Sequence, residues 1–301
     1  MTADALPGAA GPGRRGPGAL LRTASDAIPP SGLVLLAILS VQTGAGFAKE
    51  LFAHLPPSAV VLLRIGMGAL VLSLVARPRL RGLRRADLGV GVAFGAALGL
   101  MNMSFYEALA RLPMGIAVAI EFLGPLGVAV AASRRRLDLL WVVLAASGIA
   151  LLAPWGEASR LDWVGIGFAL VAGACWAAYI LLSAAVGRRF PGTGGVSFAM
   201  LVACLLAAPV GVATGGADLL RPELLLIGLG VGLLSSVIPY TLELEALRRM
   251  PKRVFGILMS LEPAAAALIG LLVLGEVLHA REWAAIGCVV VASVGATRDA
   301  G

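Results

Sequence analysis

Long apolar blocks, separated by short breaks rich in charge, proline or glycine, run through the chain from Gly32 to Thr297. Ten can be drawn, at 32–52, 58–76, 88–109, 113–132 and 139–155, then at 163–186, 195–214, 223–247, 254–274 and 283–297. A helix crossing roughly 30 Å of hydrocarbon needs about 20 largely uncharged residues. Backbone groups in lipid must be hydrogen-bonded internally, and apolar runs of this length suit helices rather than barrel strands. The pattern predicts an all-α integral membrane protein with ten transmembrane helices.

Composition reinforces that class. Hydrophobic residues make up 59% of the chain and charged residues 14%, whereas a soluble domain is about a quarter charged. The net charge of +7 raises nucleic-acid binding, but the arginines sit in short clusters between apolar blocks. Eighteen of the 24 Lys and Arg lie before the first block or in alternate loops from there, and only Arg111, Arg160, Arg221 and Arg281 lie in the opposite loops. Lys49 and Arg64 fall within blocks. Cytoplasmic loops carry such an excess, so both termini are expected in the cytoplasm and no nucleic-acid partner is expected. Residues 1–30, rich in Gly, Pro and Ala, lack the apolar core of about 7–15 residues that a signal peptide needs, and read as a disordered cytoplasmic tail. Cys175, Cys204 and Cys288 lie singly inside apolar blocks with no metal-ligand spacing, so no metal and no cofactor is expected.

The chain repeats itself. Glu107-Ala-Leu-Ala-Arg-Leu-Pro113 recurs as Glu245-Ala-Leu-Arg-Arg-Met-Pro251, an offset of 138 that also carries Pro125 onto Pro263. Gly44-Ala-Gly-Phe47 echoes in Gly173-Ala-Cys-Trp176 at an offset of 129. Each half then holds five spans, residues 31–156 and 162–298, and an odd number per half turns the copies upside down relative to each other. Inverted repeats are a transporter signature, with the site near the midplane where the halves meet.

Polar side chains inside lipid are costly, about 2.5–3.5 kcal/mol for a carboxylate at the bilayer centre, and so mark function. Glu121 and Glu262 sit near the middle of the fourth and ninth blocks, each followed by a proline, Pro125 and Pro263. Proline frees an upstream carbonyl and breaks the helix; Pro239 does the same in the eighth block. Gln42, Thr43, Asn102, Tyr106, Trp176, Tyr179, Ser235, Ser236 and Tyr240 lie at comparable depth. The expectation is a polar cavity in which Glu121 and Glu262 bind an ammonium group, a proton or both. Lys49 and Arg64 are read near the outer ends of their blocks, where they either snorkel or capture a carboxylate at the outer mouth, with Glu107 as a resting counter-ion. Glu243, Glu245 and Glu276 lie near block ends and read as interfacial. Glycines 91, 95 and 99, and 228, 230 and 232, lie inside blocks and read as close helix packing. There is no H-E-x-x-H or G-x-S-x-G motif, and His54 and His279 fall in loops, so an enzyme is not expected.

Five stretches carry a family resemblance: QTGAGFAKELF from Gln42, LPMGIAVAIEFLGPLGVAV from Leu112, GACWAAYIL from Gly173, SSVIPYTLELEAL from Ser235 and RVFGILMSLEPAAAALIGLLVLGE from Arg253. Over about Gln42 to Ala296 the chain resembles the drug/metabolite transporter superfamily, EamA type, and within it the bacterial threonine/homoserine exporter group. The resemblance implies ten helices in a bacterial inner membrane, a central cavity shared by two halves, export of small amino acids and exchange for protons. It would put Gln42, Lys49, Glu121, Tyr179, Tyr240 and Glu262 along the path. The expected partners are an amino acid, protons and the bilayer, and the expected state a monomer or homodimer. Export of another metabolite or drug, or a scaffold role without transport, are the alternatives.

Overall fold

A computed structural model of the chain describes residues 28–75, 84–132, 138–152, 162–190 and 194–299. The tail expected over 1–30 lies outside these residues up to position 27, as do the basic clusters at 77–81 and 134–136. The first block forms α1 (Pro30–Glu50), with proline in its first turn, and runs on into a 3-10 turn at Leu51–Ala53. Proline suits that position because its missing N–H has no helical partner there. Next come α2 (Pro57–Val75) and α3 (Arg85–Leu109). The fourth block splits into α4 (Met114–Glu121) and α5 (Leu123–Ala132), and the fifth is α6 (Asp138–Leu152). Then follow α7 (Trp163–Arg189) and α8 (Gly194–Gly215). The eighth block is α9 (Pro222–Gly232), a π-helical turn at Leu233–Val237 and α10 (Ile238–Arg249). The ninth splits into α11 (Lys252–Met259) and α12 (Glu262–Leu274), and α13 (Ala280–Asp299) closes the order.

Among the described residues seven stretches are long and apolar enough to cross a membrane: Pro30–Ala53, Pro57–Leu74, Arg85–Leu109, Trp163–Arg189, Gly194–Leu220, Pro222–Arg249 and Val254–Leu274. The three remaining blocks fall short. The fourth gives a shorter apolar stretch, Met114–Val128, α6 has 15 described residues, and α13 carries charged residues at both ends of its sequence. Leu74, Leu181, Leu205, Leu226 and Leu272, from five different helices, are each more than 60% exposed. An apolar belt of that extent faces lipid rather than water. The chain is a multi-pass helical membrane protein.

The two broken blocks match in detail. Pro113 and Pro251 precede α4 and α11, both eight residues long, and the breaks fall at Phe122 and Ser260, which share φ −64° and ψ −11°. Both pairs are separated by the offset of 138 seen in the sequence. Helix contacts come in matched sets as well: α3 lies along α7 as α1 lies along α10; α3 meets α8 as α2 meets α9; α4 and α5 meet α7 as α11 and α12 meet α1; and α2 pairs with α8, α6 with α13. Small residues permit the close crossings. A Cβ at Gly95 would stand 2.7 Å from the Ala199 carbonyl oxygen, and one at Gly99 3.2 Å from Ala203 Cα, so α3 rides directly on α8.

Candidate substrate site

A cavity of about 480 Å³ opens between the two sets of helices, within the roughly 300–1,000 Å³ typical of small-molecule sites. Its walls hold Gln42 from α1, Arg64 from α2, Asn102 from α3, Glu121 from α4, Trp176 and Tyr179 from α7, Ser235 from the π turn, Tyr240 and Glu243 from α10, and Glu262 from α12. Pro125 and Pro239 line it too. An apolar groove of about 560 Å³ between α5 and α7 is larger, but Leu, Gly, Ala and Val alone line it.

Backbone chemistry positions the first wall. Pro239 has no N–H, so the carbonyl four residues back, Ser235 O, loses its helical donor. The chain adjusts by a π turn, in which the Ile238 N–H reaches back to Leu233 O. The Ser235 carbonyl instead accepts from Arg64 Nη2 at 3.3 Å. Arg64 Nη1 donates to Asn102 Oδ1 at 2.6 Å, and Asn102 Nδ2 donates to Leu98 O at 2.8 Å. The guanidinium lies 5.4 Å from the Tyr106 ring centroid, a cation–π distance. A guanidinium drawn into the bundle is thus held by two neutral acceptors and a ring.

The lining is also acidic. Glu121 ends α4 and Glu262 begins α12, so both carboxyl groups flank the helix breaks. Gln42 Nε2 donates to Glu262 Oε1 at 3.1 Å. Close crossings hold these groups in place: a Cβ at Gly124 would lie 2.0 Å from the Gly173 carbonyl oxygen, and one at Gly173 2.7 Å from the Glu121 carbonyl oxygen. Trp176 meets Phe122 edge-on with centroids 5.3 Å apart, and Tyr179 stacks on Phe94 at 4.6 Å.

Five buried polar atoms have no hydrogen-bond partner among the described residues: Gln42 Oε1, Arg64 Nε, Tyr106 Oη, Ser235 Oγ and Glu262 Oε2. Four belong to residues that line the cavity, and the fifth sits on the ring under Arg64. Each orphaned group costs about 1–3 kcal/mol unless something binds it, and their concentration here points to a site built for a polar guest.

Outside the cavity lining, Leu51, Leu55, Leu109, Leu112, Met114 and Ile116 are buried. Lys49 Nζ donates to Leu112 O at 2.7 Å and to Glu276 Oε1 at 2.5 Å, and Glu276 Oε2 accepts from Met114 N at 2.7 Å. Pro113 offers α4 no side-chain cap, so the Glu276 carboxylate takes that role at the positive end of the helix. Gly275, at φ +65°, turns the chain so that Glu276 points back, a conformation costing about 1–2 kcal/mol for residues with a Cβ.

Most of the sequence-selected residues therefore converge. Gln42, Asn102, Glu121, Trp176, Tyr179, Tyr240 and Glu262 line one cavity. Tyr106 is buried behind Arg64 rather than in the wall. Ser236 is buried, but its Cβ would be 3.5 Å from a Cβ placed on Gly68 of α2; Ser235 faces the cavity instead. Arg64, read near the outer end of its block, lines the cavity, and Glu107 pairs with Arg111. Lys49 is bound up in the Glu276 clamp. Glu243, read as interfacial, lines the cavity; its spacing of three from Tyr240, one helical face, was the available signal.

Discontinuous helices meeting at a polar cavity within a membrane bundle are a feature of many transporters. The EamA-like transporter family model matches residues 163–298. The threonine/homoserine exporter RhtA of Escherichia coli (strain K12) is 42% identical over 270 residues, 89% of this chain and 91% of that protein; its Salmonella typhimurium (strain SL1344) counterpart matches equally. The uncharacterized transporter YwfM of Bacillus subtilis (strain 168) is 29% identical over 155 residues, 51% of this chain and 52% of that protein. One crystal structure shares the fold at a TM-score of 0.58 and 17% identity, covering 88% of this chain and 94% of its own. The chain belongs to the EamA-like transporter family, within the threonine/homoserine exporter group of the drug/metabolite transporter superfamily.

Proposed function

We propose that the chain exports small amino acids of the threonine/homoserine kind from the bacterial cytoplasm by proton antiport and alternating access. The observation that carries this reading is the cavity at the two helix breaks, whose lining holds two buried carboxyl groups and a guanidinium amid unpartnered polar atoms. Glu262 Oε2 has no hydrogen-bond partner among the described residues, so a proton or an ammonium hydrogen would each satisfy it, and the two compete for one oxygen; that competition is what exchange requires. The matched helix pairs and the shared break geometry support two inverted five-helix halves, 31–156 and 162–298, making ten spans. The basic residues at the Arg85, Arg189 and Arg249 ends support cytoplasmic termini, with the Lys49 clamp then on the outer side and the cavity reached from within. The 42% identical relatives named as threonine/homoserine exporters support the substrate class.

The test is counterflow in proteoliposomes with a panel of amino acids, with and without a pH gradient. Threonine and homoserine are expected to exchange, faster when protons run inward. No flux of any amino acid would remove the assignment, and flux of another metabolite or a drug would redirect it.

Alternating access also makes the clamp a gate. Glu276→Gln weakens a charge-assisted contact of about 1.5–3 kcal/mol, and every 1.4 kcal/mol shifts a population about tenfold. In a background with the three native cysteines replaced, Ala45→Cys in the cavity wall is expected to react at least about tenfold faster with a membrane-impermeant maleimide applied from outside once Glu276→Gln is added. Unchanged labelling would remove the gate.

A further inference from the structure

The cavity holds groups of both charges, and that pairing has chemical content. Arg64 is the cation of the lining, and Glu121, Glu243, Glu262 and the amide of Gln42 share that lining with it. Among the described residues no carboxylate approaches Arg64 to ion-pair distance, and its hydrogen bonds go to the neutral oxygens of Asn102 and Ser235. With one hydrogen bond from each terminal nitrogen, the Nε–H is left without a partner. A guanidinium presents its donors as a rigid fork matched to a carboxylate, which it binds through two parallel bonds. Holding that fork in lipid without an acidic partner is costly, and the neutral anchors fix its plane without cancelling its charge.

We infer that Arg64 is the specificity-determining residue for the substrate's α-carboxylate, with the α-ammonium held across the cavity between Glu121 and Glu262. This inference rests on the amino-acid reading above and deepens it. An α-amino acid carries its two charges on neighbouring groups, so a site whose lining holds a cation and carboxylates selects it over an amine or an acid alone. The side chain is then left toward Trp176, Phe122 and Tyr240. Tyr106 is a positioning residue: its ring lies against the guanidinium and does not reach the cavity.

The experiment compares threonine with threoninamide, which keeps the ammonium and hydroxyl but has no carboxylate. Apparent affinities are measured by counterflow for the wild type, Arg64→Gln and Arg64→Lys. The wild type is expected to favour threonine by at least about tenfold. Arg64→Gln is expected to weaken threonine by about 10–100-fold, the range for a lost charge-assisted contact, while threoninamide stays within about twofold. Arg64→Lys, which keeps the charge and loses the fork, is expected to recover part of the preference. Equal losses for both substrates in Arg64→Gln would assign the residue to bracing Asn102 and Ser235 and overturn the inference. So would a wild type that does not distinguish the two. A wild type that exchanges no amino acid overturns the functional reading and this inference together, whereas threonine exchange with an unaltered preference in Arg64→Gln removes Arg64 alone. If Arg64→Gln does not fold, the Arg64→Lys preference decides: a ratio equal to the wild type's rejects the fork.

Discussion

Glu262→Gln is expected to leave a folded protein that binds threonine about 10–100-fold more weakly and no longer responds to a pH gradient. The substitution is nearly isosteric, and the new amide oxygen still accepts the Gln42 Nε2–H that now reaches Glu262 Oε1 at 3.1 Å. What disappears is the charge. Hydrogen bonds to ionised groups contribute about 1.5–3 kcal/mol, and each 1.4 kcal/mol is about tenfold in affinity, which sets the range. The amide also cannot take up and release a proton, so any residual transport should run at the same rate with and without an imposed gradient. Counterflow and gradient-driven uptake in proteoliposomes measure both parts. Wild-type transport with unchanged pH response would remove Glu262 from the coupling mechanism. Glu121→Gln separates roles: loss of affinity with coupling retained would make Glu121 a substrate ligand only.

The second large effect is on the scaffold. Gly124→Ala would put a methyl 2.0 Å from the Gly173 carbonyl oxygen, far inside van der Waals contact. Because backbone forms the opposing surface, no side chain can rotate away, and α5 must separate from α7. Overpacking costs about 1–3 kcal/mol and more where relaxation is blocked, so detergent-solubilised protein is expected to melt about 5–10 °C lower. Activity should fall further than stability, because Gly173 also abuts the Glu121 carbonyl and the shift moves that acid. Gly127→Ala is the control: the same helix and substitution, with nothing within 4 Å of the added Cβ. A melting temperature for Gly124→Ala equal to the control's would show that α5 and α7 part without cost and would remove the close crossing as a constraint.

Much of this architecture is legible in one dimension, because lipid makes a strict demand. A chain that cannot hydrogen-bond to its surroundings must form helices, and a polar group placed among them must have a use. Hence Glu121, Glu262, Gln42, Asn102, Trp176, Tyr179 and Tyr240 could be picked by depth alone, and they share a cavity. The prolines carried information of the same kind. Pro239 frees the Ser235 carbonyl because of its own missing N–H, a local rule that needs no fold, although what would use that carbonyl was not local.

Depth along a helix and direction around it are different quantities, and the second depends on packing. Ser235 and Ser236 are equally deep, but the π turn at Leu233–Val237 rotates one into the cavity and the other against α2. Arg64, two turns into its helix, looks interfacial by position; Asn102 and the Ser235 carbonyl, 38 and 171 residues away, draw it inward. Glu276 gives no sign of its role until Gly275 takes φ +65° and aims it at Lys49 and the Met114 N–H. Which side chains lie deep in the bilayer follows from spacing along the chain, since hydrophobic length and backbone hydrogen bonding are local properties. Which of them meet follows from helix rotation and crossing, which contacts between residues far apart in the chain set together.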